Sequence, residues 1–304
     1  MTRPGQGAGT DGLEEETSRY ELRGYVSAGK PLLTVIVPTR NRLQVRDAVA
    51  SVVTQTHGDF ECIVVDDASD KPITGDFGDK RVRTILRKSR GGPAAARNTG
   101  LERARGRFVV FLDDDDLFET NRLALGIQGA ASSPLTVCAM KVISPTHPTR
   151  PWLRERVHLR SLPHLGQVTI LRTLAPKFDE RFRVAEDVDW WIRASTRSES
   201  SEVPEIGYIM RSRVRPRVRP REELEAELQS LLLLLASHEG YFRRNRAAAA
   251  WRWKRISRLW LRLGERARAR LAMATAEGIE PSTVGRWDMM EVTVPIPKVV
   301  LPRL

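Results

Sequence analysis

Phe108-Val109-Val110-Phe111-Leu112-Asp113-Asp114-Asp115-Asp116 runs five apolar residues directly into four aspartates. The apolar part is too short for a helix and reads as a strand buried on both faces. The same texture recurs upstream. Leu32 to Val37 is closed by Pro38, Glu61-Cys62-Ile63-Val64-Val65 ends in Asp66 and Asp67, and a further run spans Val82 to Leu86. Between these runs, Val45, Ala48, Val49 and Val52 have helical spacing, and an Ala-rich segment from Ala94 to Arg103 follows Gly91-Gly92-Pro93. Near-continuous apolar strands alternating with helices predict an α/β fold with a mostly parallel sheet covered by helices. In such sheets ligands bind beyond the C-terminal strand ends. Thr39 and Arg40, Asp66 and Asp67, and Asp113 to Asp116 should therefore line one crevice.

Four adjacent carboxylates repel one another, and a hard divalent cation, Mg²⁺ or Mn²⁺, is the natural reason to group them. The structural alternative is that some cap the following helix while the others are solvated. Asp66-Asp67 fits a turn as well as a ligand site. The segment Gly91 to Gly100 puts small residues at a helix start. It lacks the Lys-Ser/Thr ending of a P-loop and the spacing of a dinucleotide fingerprint, so neither an ATPase nor a dehydrogenase is indicated.

Five ordered blocks carry a family resemblance: Val35 to Arg42, Ser51 to Thr56, Val64 to Ser69, Ala96 to Gly100 and Phe111 to Asp116. Together with Phe178 to Phe182 and Ala185 to Trp191, they resemble family 2 glycosyltransferases with the GT-A (Rossmann-like) fold. The resemblance implies inverting transfer of a sugar from a nucleotide diphosphate sugar, by family habit a UDP-sugar, to an acceptor nucleophile. It implies that Pro38, Thr39 and Arg40 border the nucleoside. Asp66 and Asp67 join the nucleotide-binding set, with Asp67 accepting from the base, and Arg97 approaches the base or the diphosphate. Asp113 and Asp115 match the ends of the DxD motif, with Asp115 the preferred metal ligand and Asp113 the second. Asp114 faces the ribose. A run of four lets this register shift by one. Asp187 matches the catalytic base, against a local alternative in which Glu186 and Asp187 complement a helix dipole. The family's downstream histidine has no counterpart near Tyr208 to Arg213, so Arg211 or Arg213 is expected to hold the diphosphate in its place. Two other functions remain open: a nucleotidyl- or phosphotransferase on a similar sheet, and a silent nucleotide-sugar-binding protein acting through basic helices.

The chain has 304 residues, 41% hydrophobic and 29% charged, which places it among globular proteins. Its net charge of +12 is uneven. Residues 1–210 hold 30 basic and 28 acidic side chains, whereas residues 211–304 hold 20 and 10. The basic block has no recognisable nucleic-acid-binding fold, so nucleic acid is not an expected partner. The organisation expected is a mobile tail over 1–29, a GT-A domain over 31–210, and an Arg-rich arm with helices over 211–304. The arm's prolines exclude a helix, and a stripe of Trp253, Ile256, Trp260 and Leu263 marks a later helix. These helices either pack on the catalytic domain or touch an anionic membrane surface. Trp190 and Trp191 are expected in the core, and the acceptor site between residues 120 and 176, where Trp152, His158 and His164 are candidates. The N-terminus lacks the charge order of a secretory signal. Cys62 and Cys138, each inside an apolar run, fit buried thiols in a cytoplasmic protein.

Overall fold

The computed structural model describes residues 29–73, 77–144, 147–154, 162–211 and 219–279. The strands are β1 (Leu33–Thr39), β2 (Phe60–Asp66), β3 (Val82–Leu86), β4 (Phe108–Phe111), β5 (Leu117–Phe118), β6 (Leu135–Ser144), β7 (His147–Arg154), β8 (Val168–Leu171) and β9 (Ser200–Arg211). They form one sheet in the order β3-β2-β1-β4-β8-β6-β9-β5, with β7 on β6. The first four strands are parallel, as their apolar runs predict. Beyond β4 the sheet becomes mixed, because β8 runs antiparallel to both β4 and β6 while β9 is parallel to β6. The expectation of a mostly parallel sheet thus holds for the N-terminal half only.

Helices α1 (Val45–Val53), α2 (Gly92–Arg103), α3 (Arg122–Ala130) and α4 (Glu186–Ser195) flank this sheet. Alternate residues of β1 explain why its run is continuously apolar. Val35 and Val37 pack in a cluster with Val45, Val49 and Val52 of α1, while Ile36 joins a second cluster with Ala94 and Ala96 of α2 and Trp190 of α4. Each such burial is worth about 1.5–3 kcal/mol. Trp190 is fully buried, its ring stacked on Phe178 at 5.6 Å and edge-on to Phe111 at 5.4 Å. Cys62 and Cys138 are buried free thiols.

The basic C-terminal region is helical: α5 (Arg221–Ser237), α6 (Glu239–Arg244), α7 (Arg246–Arg262) and α8 (Arg266–Ile279). Leu224, Leu228 and Leu231 of α5 meet Ile256 and Leu259 of α7, with Trp253, Trp260 and Leu263 packed against them. A further cluster joins Leu234, Phe242 and Ala249 to Phe182 and Ile192, so these helices dock on α4. The dock includes polar contacts. Val184 N donates to Ser230 Oγ at 3.3 Å, and His238 Nε2 lies 2.8 Å from the buried Asp189 Oδ1. Asp189, in the first turn of α4, thereby also anchors the end of α5. Among the described residues, no helix is long and apolar enough to cross a membrane. Most of the expected tail and the arm residues 212–218, including Arg213, lie outside the described residues.

Candidate active site

The loops after β1, β2, β3 and β4 converge on a crevice of about 390 Å³ lined by Thr39, Arg40, Arg42, Asp67, Arg97 and Asp113 among others. Pro38, Asp114, Asp115 and Glu186 complete its expected or newly revealed acidic and apolar walls, and Arg90 adds a further cation. Parallel strand order explains the convergence, since every C-terminal end in this half opens on one edge. The loops are clasped to each other. Asn41 Nδ2 donates to Asp70 Oδ2 at 2.8 Å, and Asp70 N returns a bond to Asn41 Oδ1 at 2.8 Å. Asn41, Ala68 and Ala185 all have positive φ, at 55°, 56° and 65°. These strained non-glycine positions lie in loops bordering the crevice, where such strain commonly concentrates.

Each aspartate of the run has its own task. Asp113 Oδ1 accepts from Arg97 at 2.7 Å. Asp114 accepts from Thr39 Oγ1 at 2.8 Å and from Arg42 at 2.7 Å; burial raises its pKa against the opposing pull of Arg42. Asp115 lines the crevice, 3.7 Å from Arg42. Asp116 is turned inward, where it accepts from Tyr208 Oη at 2.5 Å and Arg211 N at 2.8 Å, and burial raises it to about 6.

One group of side chains that could hold a metal ion shares Asp113 with the expected pair and adds Asp116 and His164 in place of Asp115. Carboxylate oxygens of Asp113 and Asp116 and a nitrogen of His164 lie within 4.8 Å of one another. Two carboxylates and an imidazole suit a divalent cation of the Mg²⁺ or Mn²⁺ type, and each carboxylate oxygen keeps a lone pair beyond its existing hydrogen bond. Asp115 is not part of this group; its carbonyl accepts from Arg211 Nε at 2.5 Å. His164 caps the 3-10 turn Leu165–Gln167, and its ring stacks on Tyr208 at 4.9 Å. The turn is fixed by Arg122, fully buried, which donates to Gly166 O, Val168 O and Thr169 Oγ1.

Arg97 is the hub on the opposite wall. It is 4% exposed and pairs with Asp113 at 2.7 Å and Glu186 at 2.9 Å. Burial works against its charge, but the two acids outweigh that and raise its pKa. Glu186 is raised by burial, with Arg97 opposing. The pair ties the aspartate run to the start of α4, where Asp187 stands half-buried, its Oδ1 accepting from Val188 N at 2.8 Å.

Two expected binding residues are engaged elsewhere. Asp66 receives Ser69 N at 2.8 Å and Ile73 N at 2.7 Å, so it shapes the loop after β2 and does not line the crevice. Arg211 gives Nη1 to Asp47 at 3.1 Å as well as Nε to Asp115 O, while its Nη2 is buried without a hydrogen-bond partner. Asp67 faces the crevice and accepts from Gly91 N at 2.9 Å and Gly92 N at 2.7 Å. That contact holds the glycine turn against the strand ends. Of the acceptor candidates, Trp152 falls on β7 and His158 lies outside the described residues.

This arrangement, acids and arginines at the C-terminal edge of a half-parallel sheet with a carboxylate-bearing helix opposite, is that of the GT-A fold. The glycosyl transferase family 2 model matches residues 34–185, half of the chain, and the chain belongs to that family. It is similar to the putative teichuronic acid biosynthesis glycosyltransferase TuaG of Bacillus subtilis, 41% identical over 100 residues, which cover 31% of this chain and 40% of the other. A second relative is the UDP-Glc:alpha-D-GlcNAc-diphosphoundecaprenol beta-1,3-glucosyltransferase WfgD of Escherichia coli, 36% identical over 100 residues, covering 32% of this chain and 40% of the other. The chain spans less than half of the length of these and of other curated relatives that it matches. Among solved structures, S. aureus TarS 1–349 in complex with UDP-GlcNAc superposes with a TM-score of 0.56 at 20% identity, covering 83% of this chain and 82% of that one. At that identity the likeness is one of fold.

Proposed function

We propose that the protein transfers a sugar from a nucleotide diphosphate sugar to an acceptor nucleophile with inversion at the anomeric carbon. The observation that carries this is the convergence of Thr39, Asp67, Arg97 and Asp113 to Asp115 on one crevice whose wall includes Glu186, the residue before Asp187. A UDP-sugar is the first donor to test, since WfgD is named for UDP-Glc and TarS was solved with UDP-GlcNAc.

In this mechanism Asp67 and Thr39 meet the nucleoside, and the guanidinium groups of Arg40, Arg42 and Arg90 offer paired hydrogen bonds to the diphosphate. Asp113, Asp116 and His164 would hold the Mg²⁺ or Mn²⁺ ion. When bound, the cation supplies positive charge that stabilises the departing nucleotide diphosphate. The acceptor oxygen attacks the anomeric carbon from the face opposite the leaving group. Its proton passes to the Asp187 carboxylate as the new glycosidic bond forms and the bond to the diphosphate oxygen breaks. Arg97, fixed between Asp113 and Glu186, sets the distance between the two halves of this machinery. The proposal includes a cytoplasmic location. It also includes peripheral contact of α7, which exposes Arg258, Leu261 and Arg262, with an anionic membrane surface.

Incubating the purified protein with a panel of UDP-sugars and Mn²⁺ tests the assignment. Release of UDP is expected. Release of UMP or pyrophosphate would instead indicate nucleotidyl transfer, and binding without turnover a silent protein.

A further inference from the structure

Arg252 of α7 is 4% exposed, yet among the described residues it has no carboxylate partner. Its Nη1 donates to Ala248 O in its own helix at 2.8 Å, and its Nε is buried without a hydrogen-bond partner. Other buried arginines show what satisfaction looks like here. Arg122 spends all three of its nitrogens on protein oxygens, and Arg97, whose Nε is likewise unpartnered, has its charge met by two carboxylates. A buried charge left unpaired is costly, and native proteins rarely keep one without a use.

The surroundings of Arg252 suggest that use. Its guanidinium lies 5.0 Å from the Phe242 ring and 5.7 Å from the Trp251 ring. Trp251 is 59% exposed, so one side of this stack opens to solvent. Phe242 belongs to the cluster that contains Ile192 of α4, with Ala185 and Val188 packed against it. Those two residues flank Asp187, so the stack sits beside the proposed base. Burial lowers the Arg252 pKa to about 10, with Tyr241 and then Asp187 acting against the fall. Arg252 does not line the crevice assigned to the donor's diphosphate.

We propose that Arg252, framed by Phe242 and Trp251, is an acceptor subsite for an anionic group, a phosphate or a carboxylate on the sugar or polyol whose hydroxyl Asp187 deprotonates. This rests on the transfer function above. A guanidinium with free N–H groups recognises either oxyanion through paired hydrogen bonds, and an exposed indole face is a ready platform for a sugar ring.

The test is an equilibrium titration of the full chain, saturated with UDP, against a hexose 6-phosphate, the corresponding hexuronate and the neutral hexose. The wild type should bind one of the two anionic sugars at least about tenfold more tightly than the neutral one, as hydrogen bonds to charged groups predict. The phosphate and uronate arms identify which anion the subsite takes. In Arg252→Met the preference should fall to about one, and Arg252→Lys should keep part of it. Removing an unpaired charge leaves no orphaned partner, and thermal unfolding of both variants verifies folding. If Arg252→Met does not fold, Arg252→Lys and Trp251→Ala carry the comparison, both with a reduced preference. Equal binding of the three sugars by the wild type, or an unchanged preference in the variants, overturns the subsite. Failure of UDP to bind would contradict the transfer function instead.

Discussion

His164 Nε2 stands 3.7 Å from Asp113 Oδ2, and its imidazole is stacked on Tyr208, whose hydroxyl donates to Asp116. Two separate segments, the aspartate run after β4 and the turn at His164, thus bring two carboxylates and one nitrogen to a single point, with Tyr208 of β9 braced against both. Loss of one ligand should weaken a divalent ion at least as much as loss of an outer partner does, about 10–100-fold. Mn²⁺ titration followed by electron paramagnetic resonance should show this loss in His164→Ala and in Asp116→Asn. Asp115→Asn should weaken Mn²⁺ less than either; the reverse ranking would return the ion to Asp115.

Gly166 lies under the same stack. A Cβ there would come within 2.0 Å of the Tyr208 ring. Gly166→Ala should destabilise the fold by about 1–3 kcal/mol, as overpacking does, and should weaken Mn²⁺ together with it. Urea unfolding and the Mn²⁺ titration on the same sample check both effects.

Arg97 bridges Asp113 and Glu186 from a buried position. Removing one partner of a buried ionic set leaves uncompensated charge and costs about 3–5 kcal/mol. Arg97→Met should lose that much stability by urea unfolding. Adding Glu186→Gln to the same chain should recover part of it, because the orphaned carboxylate is then gone. No recovery in the double variant would mean that Arg97 acts through packing alone.

The strand–helix alternation, the crevice and the buried Trp190 were legible in sequence because short apolar runs ending in polar residues have few other solutions. The mixed half of the sheet was not, since β6, β8 and β9 carry no pattern that distinguishes parallel from antiparallel neighbours. Asp66 and Asp67 looked alike in sequence, but alternation along β2 and the turn beyond it send one into the loop and the other to the crevice. His164 was invisible as a partner of Asp113, because nothing in a lone loop histidine announces which strand end it will face. Nothing in the sequence separates Arg252 from its neighbours Arg255 and Arg258. Only its position opposite Phe242 on α7 reveals that it is buried.

The dock of α5 on α4 should respond to acid. Asp189 is buried, which raises its pKa, but His238 and Arg193 outweigh this and hold it below the ordinary value. Its stabilising contribution is therefore present above the unfolded carboxylate pKa of about 3.9. It is lost as pH falls through the lower, folded value. Glu227, held down by Arg255 and Arg219 against its burial, follows the same sign. Urea unfolding of wild type and Asp189→Asn should differ most near neutrality and converge below about pH 4. A gap that widens on acidification would contradict the assignment.

The central claim is inverting transfer with Asp187 as base. An α-linked UDP-sugar, incubated with the protein and Mn²⁺ and followed from the first turnovers by proton NMR of the anomeric signal, tests it most directly. The product should appear first as the β-anomer together with UDP, and Asp187→Asn should slow its formation by about 10²–10⁴-fold while still binding UDP. An α-anomer formed first, or wild-type turnover by Asp187→Asn, would contradict the account.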